Sequence, residues 1–138
     1  MTSILLPFPP TANTYYRHVG SKVLISEKGR EYRLRVRYTW LQAGFRGSQK
    51  GEKLSVWVKC HPPDKRVRDL GNLDKSLMDA LTHAGAWHDD FDIDDQRFTR
   101  VWEGQPPGSV LVIIRPIADP ATLLQGPCDP PVQPSSFG

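Results

Sequence analysis

Only two cysteines occur in the 138 residues, Cys60 and Cys128, and neither sits in a paired metal-ligand spacing. That argues against a disulfide framework and against a structural zinc site, and both read as free thiols. No apolar run approaches the roughly 18 residues of a membrane span. The Met-Thr-Ser-Ile-Leu-Leu start lacks a charged segment followed by a long apolar one, so the sequence predicts a cytoplasmic protein with no membrane partner. The histidines, His18, His61, His83 and His88, form no HxxxH or HExxH arrangement, which weakens a zinc-hydrolase reading. No GxSxG, P-loop or dinucleotide fingerprint is present, and there is no internal repeat.

What is present is an ordinary globular composition, 38% hydrophobic and 24% charged, on a chain of single-domain length. The net charge of +3 hides a segregation: residues 1–68 carry 14 Lys/Arg against 4 Asp/Glu, and residues 69–138 carry 4 against 11. Two differently solvated surfaces would account for it. A basic rim holding a polyanion, with clustered acids holding a divalent cation against it, would account for it equally, and that combination suits a metal-dependent nuclease.

Along the chain, Ser3–Leu6 reads as a strand ended by Pro7-Phe-Pro-Pro10. A loop with Tyr15, Tyr16, Arg17 and His18 follows; its aromatics fit stacking on unpaired bases or simple packing, and Arg17 fits a phosphate contact. Lys22–Ile25 reads as a short strand or extended segment. Ser26 is placed to cap a helix running to Ala43 and stopped by Gly44. That helix has two apolar strips: Tyr32, Val36, Trp40 and Ala43 on one side, Leu34, Tyr38 and Leu41 on another. Two strips require two packing partners, the domain's own sheet and either a second subunit or another layer of the same domain. Arg30, Arg33 and Arg37 line up between them as a solvated row or a phosphate track. Leu54–Cys60 alternates with period two and reads as a strand. A basic loop with Lys65, Arg66 and Arg68 leads into a second helix carrying Leu70, Leu73, Leu77, Leu81 and Ala84, closed by Gly85. Strands are predicted near Gln96–Val101 and Val110–Arg115. The order strand, helix, strand, helix, strand, strand predicts an α+β (mixed α/β) fold, a small sheet of about four strands with two helices, over residues 1–117. Residues 118–138, with five prolines, read as a flexible tail.

The candidate chemistry lies between the basic loop and the acidic run. Hard divalent ions take one or two carboxylates plus water and phosphate oxygens. Asp69 can supply one, and Asp89 and Asp90 another if the chain folds back; Asp94 and Asp95 are further candidates, although five aspartates in positions 89–95 also fit a solvated turn. His88, beside Asp89, is the one histidine near the acids. Lys75, on the second helix, is placed to meet a scissile phosphate or its developing charge.

These residues carry a resemblance. Leu6-Pro-Phe-Pro-Pro10, Tyr15-Tyr-Arg-His18, Pro63-Asp-Lys-Arg-Val-Arg-Asp69, Asn72-Leu-Asp-Lys75, Asp79-Ala-Leu-Thr-His-Ala-Gly85 and Trp87-His-Asp-Asp90 together resemble the RusA family of Holliday junction resolvases, over residues 3–115. The resemblance implies a homodimer of bacteria or their prophages that grips four-way junction DNA and makes paired nicks with Mg²⁺ or Mn²⁺. By position it implies metal-binding roles for Asp69 and Asp90 and a cleavage role for Lys75. Gly71 departs from the pattern, which has an aspartate there. The chain then binds junctions without cutting, works with fewer acids, or uses a neighbour. Asp74 is the neighbour in question, three residues on along the same helix face and leaning back toward position 71; favouring the first helical turn electrostatically is its other reading.

Overall fold

The computed structural model describes residues 1–119 with Ala121 and Leu123. The predicted tail and Cys128 fall largely outside the described residues. The elements are β1 (Thr2–Pro7), α1 (Ala12–Tyr15), β2 (Tyr16–Val19), β3 (Lys22–Ile25), α2 (Glu27–Ala43), β4 (Leu54–His61), α3 (Leu70–Ala84), a 3₁₀ turn (Asp90–Asp92), β5 (Ile93–Arg100) and β6 (Ser109–Pro116). The fold is mixed α+β, with three helices where two were predicted. Its main sheet runs β1-β6-β4-β5, with β4 and β5 parallel and the other pairs antiparallel; β2 and β3 form a separate hairpin.

Alternation decides which face of the sheet is covered. Ile4, Leu6, Val56, Val58, Cys60, Val110, Val112 and Ile114 point to the helices and are buried with Tyr32, Val36 and Trp40 of α2 and Leu77, Ala80 and Leu81 of α3. The opposite face carries Trp57, flanked by Lys59 at 4.3 Å and Arg97 at 4.0 Å from the ring centroid. In α2 the Ser26 hydroxyl accepts from Gly29 N at 3.0 Å, and Gly44 and Gly85 end their helices in left-handed conformations, φ 74° and 89°. The second strip of α2 is uncovered, with Leu34, Tyr38 and Leu41 exposed by 67%, 64% and 62%. Among the described residues no second layer covers it.

Two predicted boundaries move. The expected loop at residues 13–18 is a helical turn followed by the first hairpin strand, because Tyr15 is buried and Ser26 hydrogen-bonds to its carbonyl oxygen. β5 begins at Ile93, three residues before the predicted start, because its aspartates have partners: Asp95 accepts from the Ser55 hydroxyl at 2.7 Å, and Asp94 lies 3.9 Å from Lys53. They belong to a strand and are received there by residues on and beside β4. Burial also pushes the Cys60 thiol up to about 11. At pH 8 it is almost wholly protonated, so native protein is expected to leave Cys60 unalkylated by iodoacetamide until denaturant is added, which peptide mass mapping checks.

Candidate active site

Asp69 is the N-cap of α3. Its Oδ1 accepts from Gly71 N at 3.0 Å, satisfying one of the unpaired amides of the first turn. The basic loop before it is anchored from several sides. Arg68 pairs with Asp64 at 2.8 Å and lies over the Phe8 ring, while Arg100 donates to the Arg68 carbonyl. The hydrogen bond from Arg68 holds the Asp64 carboxyl below its ordinary range. Lys65 and Arg66 are exposed, with Arg66 3.7 Å from Asp64.

Further along α3 a cavity of about 380 Å³ opens between the helix, β5 and the β2–β3 hairpin, with Asp74, Lys75, Asp79, Asp90, Gln96 and Tyr16 at its wall. Asp74 is half-buried and accepts from Gln96 Nε2 at 2.6 Å; burial raises its carboxyl above the ordinary value. Lys75 is exposed and has no ion pair among the described residues. Asp89 caps the 3₁₀ turn by accepting from Phe91 N at 3.0 Å, which holds its own carboxyl low. The hydrogen bond between Asp89 and Asp90 raises the Asp90 carboxyl. Two exposed neighbouring carboxylates form a donor pair that suits a hard cation, whose charge would offset their repulsion.

Asp69 stands apart from this group. β4 and β5 are parallel and joined through α3, so the helix runs back antiparallel to both. Asp69 caps its N-terminal end and is not among the residues lining the cavity, whereas Asp90 lines it together with Asp74, Lys75, Met78 and Thr82 of the helix. Among the described residues no three His, Cys, Asp or Glu side chains gather closely enough to hold a metal ion.

The whole arrangement falls inside one homologous segment. Residues 7–115 match the family model of "Endodeoxyribonuclease RusA". The chain belongs to the RusA endodeoxyribonuclease family. A crossover junction endodeoxyribonuclease RusA of Shigella sonnei is 41% identical over 103 residues, 72% of this chain and 82% of the relative. Its counterpart in Escherichia coli K12 is 40% identical over the same shares, and that of Enterobacteria phage 82 is 42% identical over 71% of this chain and 81% of the relative.

Within this RusA-family chain several predicted nucleic-acid contacts are committed elsewhere. Tyr15 is fully buried, with its hydroxyl donating to Asp79, so it is unavailable for base stacking. Tyr16 packs edge-on against it at 4.7 Å and reaches the cavity. Arg33 turns inward to Asp79, while Arg30 donates to the Ile25 carbonyl at 3.0 Å. Arg37 and Arg17 remain exposed. Asp79, quoted from the sequence only within a family motif, and Gln96, only as a strand start, were given no site role; the apolar spacing that identified α3 also puts Asp79 one turn beyond Lys75, which was the available signal. At Gly71 the backbone is ordinary and open, since a Cβ built there meets nothing nearer than Asp69 Oδ1 at 3.5 Å.

Proposed function

We propose that this chain acts as a Mg²⁺-dependent homodimeric resolvase that nicks four-way junction DNA on opposed strands, Mn²⁺ serving as an alternative ion, with each active site completed between two protomers. The observation that carries this reading is that Asp69 stands outside the cavity Asp90 lines: each is a carboxylate expected at the metal, yet within one chain Asp69 caps α3 and is not among the cavity's lining residues. A two-fold partner can bring the Asp90 end of one cavity to the Asp69 end of the other, and a two-fold dimer then presents two equal sites to a junction of the same approximate symmetry. The uncovered strip of Leu34, Tyr38 and Leu41 supports association of this kind. Asp69, Asp90 and Asp89 would hold the ion, which when bound would offset phosphate charge and make a water nucleophilic at neutral pH. Lys75, which makes no ion pair among the described residues, is free to meet the phosphate, and the exposed Lys65, Arg66, Arg17 and Arg37 supply salt-dependent affinity.

Incubation with a synthetic four-way junction and Mg²⁺ or Mn²⁺ tests the activity. Symmetric nicking is expected, with linear and flapped DNA cut far more slowly; binding without nicking under all conditions would overturn it. In this reading Asp74, at the cavity wall, stands in for the carboxylate absent at position 71. Asp74→Asn is therefore expected to raise the metal concentration for half-maximal nicking about tenfold, the lower end of the usual effect of losing a group that supports a bound metal. An unchanged metal titration would remove Asp74 from the site.

A further inference from the structure

Asp79 follows Lys75 on α3 by one helical turn. Side chains four apart on a helix are neighbours, and helical side chains lean toward the N-terminus, so an unrestrained Asp79 would reach back to the Lys75 ammonium. It is not unrestrained. Arg33 Nη2 donates to Asp79 Oδ2 at 2.7 Å and Arg33 Nε to the same oxygen at 3.0 Å. The Tyr15 hydroxyl donates to that oxygen too, and accepts from Arg33 Nε at 2.8 Å. Tyr15 is fully buried and the Arg33 side chain is only 22% exposed, so the clamp is anchored in the packed junction of α1, α2 and α3.

We propose that Arg33, with Tyr15, is a positioning residue that captures the Asp79 carboxylate and so leaves the Lys75 ammonium free for the substrate phosphate. The inference rests on the nuclease reading of the cavity. Arg33 touches neither metal nor DNA in this role; it acts by occupying a competitor. The geometry gives it a signature that a purely structural ion pair lacks. A structural pair is broken equally by removing either partner or both, whereas here the harm done by losing Arg33 comes from Asp79 itself and disappears when that charge is removed.

The test uses the full-length protein and a synthetic four-way junction. Arg33→Met is expected to lower nicking ten- to a hundredfold, and to make the dependence of junction affinity on salt shallower by about 0.9 in log–log slope for each protomer of the dimer, the loss of one phosphate contact per site. Adding Asp79→Asn to Arg33→Met is expected to restore nicking to within a few-fold of wild type and return the slope. Arg33→Lys, which keeps a charge for Asp79 and disturbs packing least, is expected to hold the wild-type slope; it decides the matter if Arg33→Met does not fold. A double variant no better than Arg33→Met, or an Arg33→Lys slope as shallow as that of Arg33→Met, would overturn the inference. If wild-type protein bound the junction without nicking it, the nuclease reading would fall, and the salt slopes would still decide whether Arg33 frees Lys75.

Discussion

An equal mixture of Asp69→Asn and Asp90→Asn protein, each alone nearly inert, is expected to regain nicking after the subunits are allowed to exchange. The singles should lose on the order of a thousandfold, because a metal clamp contributes several kcal/mol and about 1.4 kcal/mol is a factor of ten. Neither change should unfold the chain. Asparagine is as good an N-cap as aspartate, so the side-chain oxygen introduced by Asp69→Asn can still accept from Gly71 N, and the amide introduced by Asp90→Asn can still hydrogen-bond to Asp89. In a mixed dimer one site combines the intact Asp69 of one protomer with the intact Asp90 of the other, and the second site lacks both. Random exchange makes roughly half the dimers mixed, so about a quarter of all sites are whole. The product identifies the arrangement: a junction nicked on one strand, with few resolved duplexes. If instead each chain closed its own site, no mixed dimer would contain a whole one, and the mixture would stay at background.

That separation of acids could have been drawn from the sequence, since the stretch between Asp69 and Asp90 includes a helix whose start and stop were both legible. Ser26, Gly44 and Gly85 signal their helix ends through local chemistry, and the alternation of β4 signals which face is buried. Such features depend on neighbours within a turn or a strand. The misplaced features depend on partners far along the chain. Nothing near Tyr15 indicates that its hydroxyl will meet Asp79, 64 residues later. Nothing near Arg33 marks it off from Arg37, although one is tied to a carboxylate 46 residues away and the other faces solvent. The early start of β5 has the same origin: two aspartates disfavour a strand until Ser55 and Lys53 on and beside β4 receive them. The charge segregation of the two halves likewise understates how many cations are already paired, Arg33 and Arg68 among them.

Gly71→Asp is expected to lower the metal concentration needed for half-maximal nicking by about ten- to a hundredfold, the range over which supporting groups tune metal sites. The backbone accepts the change. Gly71 lies in the first turn of α3, has no left-handed φ, and its added Cβ would sit 3.5 Å from Asp69 Oδ1 in otherwise open space. An acid there also faces the positive end of the helix, a favourable term of about 0.3–1 kcal/mol. Against this stands repulsion from the adjacent Asp69 carboxylate, which a bound cation offsets. Melting temperature should consequently change little in chelator and rise with Mg²⁺ or Mn²⁺ more than wild type does, because a ligand stabilises the folded state in proportion to how tightly it binds. Gly71→Asn, of equal size and no charge, should reproduce neither effect. The new carboxylate also examines Asp74. If Asp74 substitutes for the missing acid, Asp74→Asn should cost less in the Gly71→Asp background than in wild type, a coupling that a double-mutant cycle on the metal titration measures directly. Additive effects would leave Asp74 as a partner of Gln96 at the cavity wall and leave wild type to bind its ion with one carboxylate fewer.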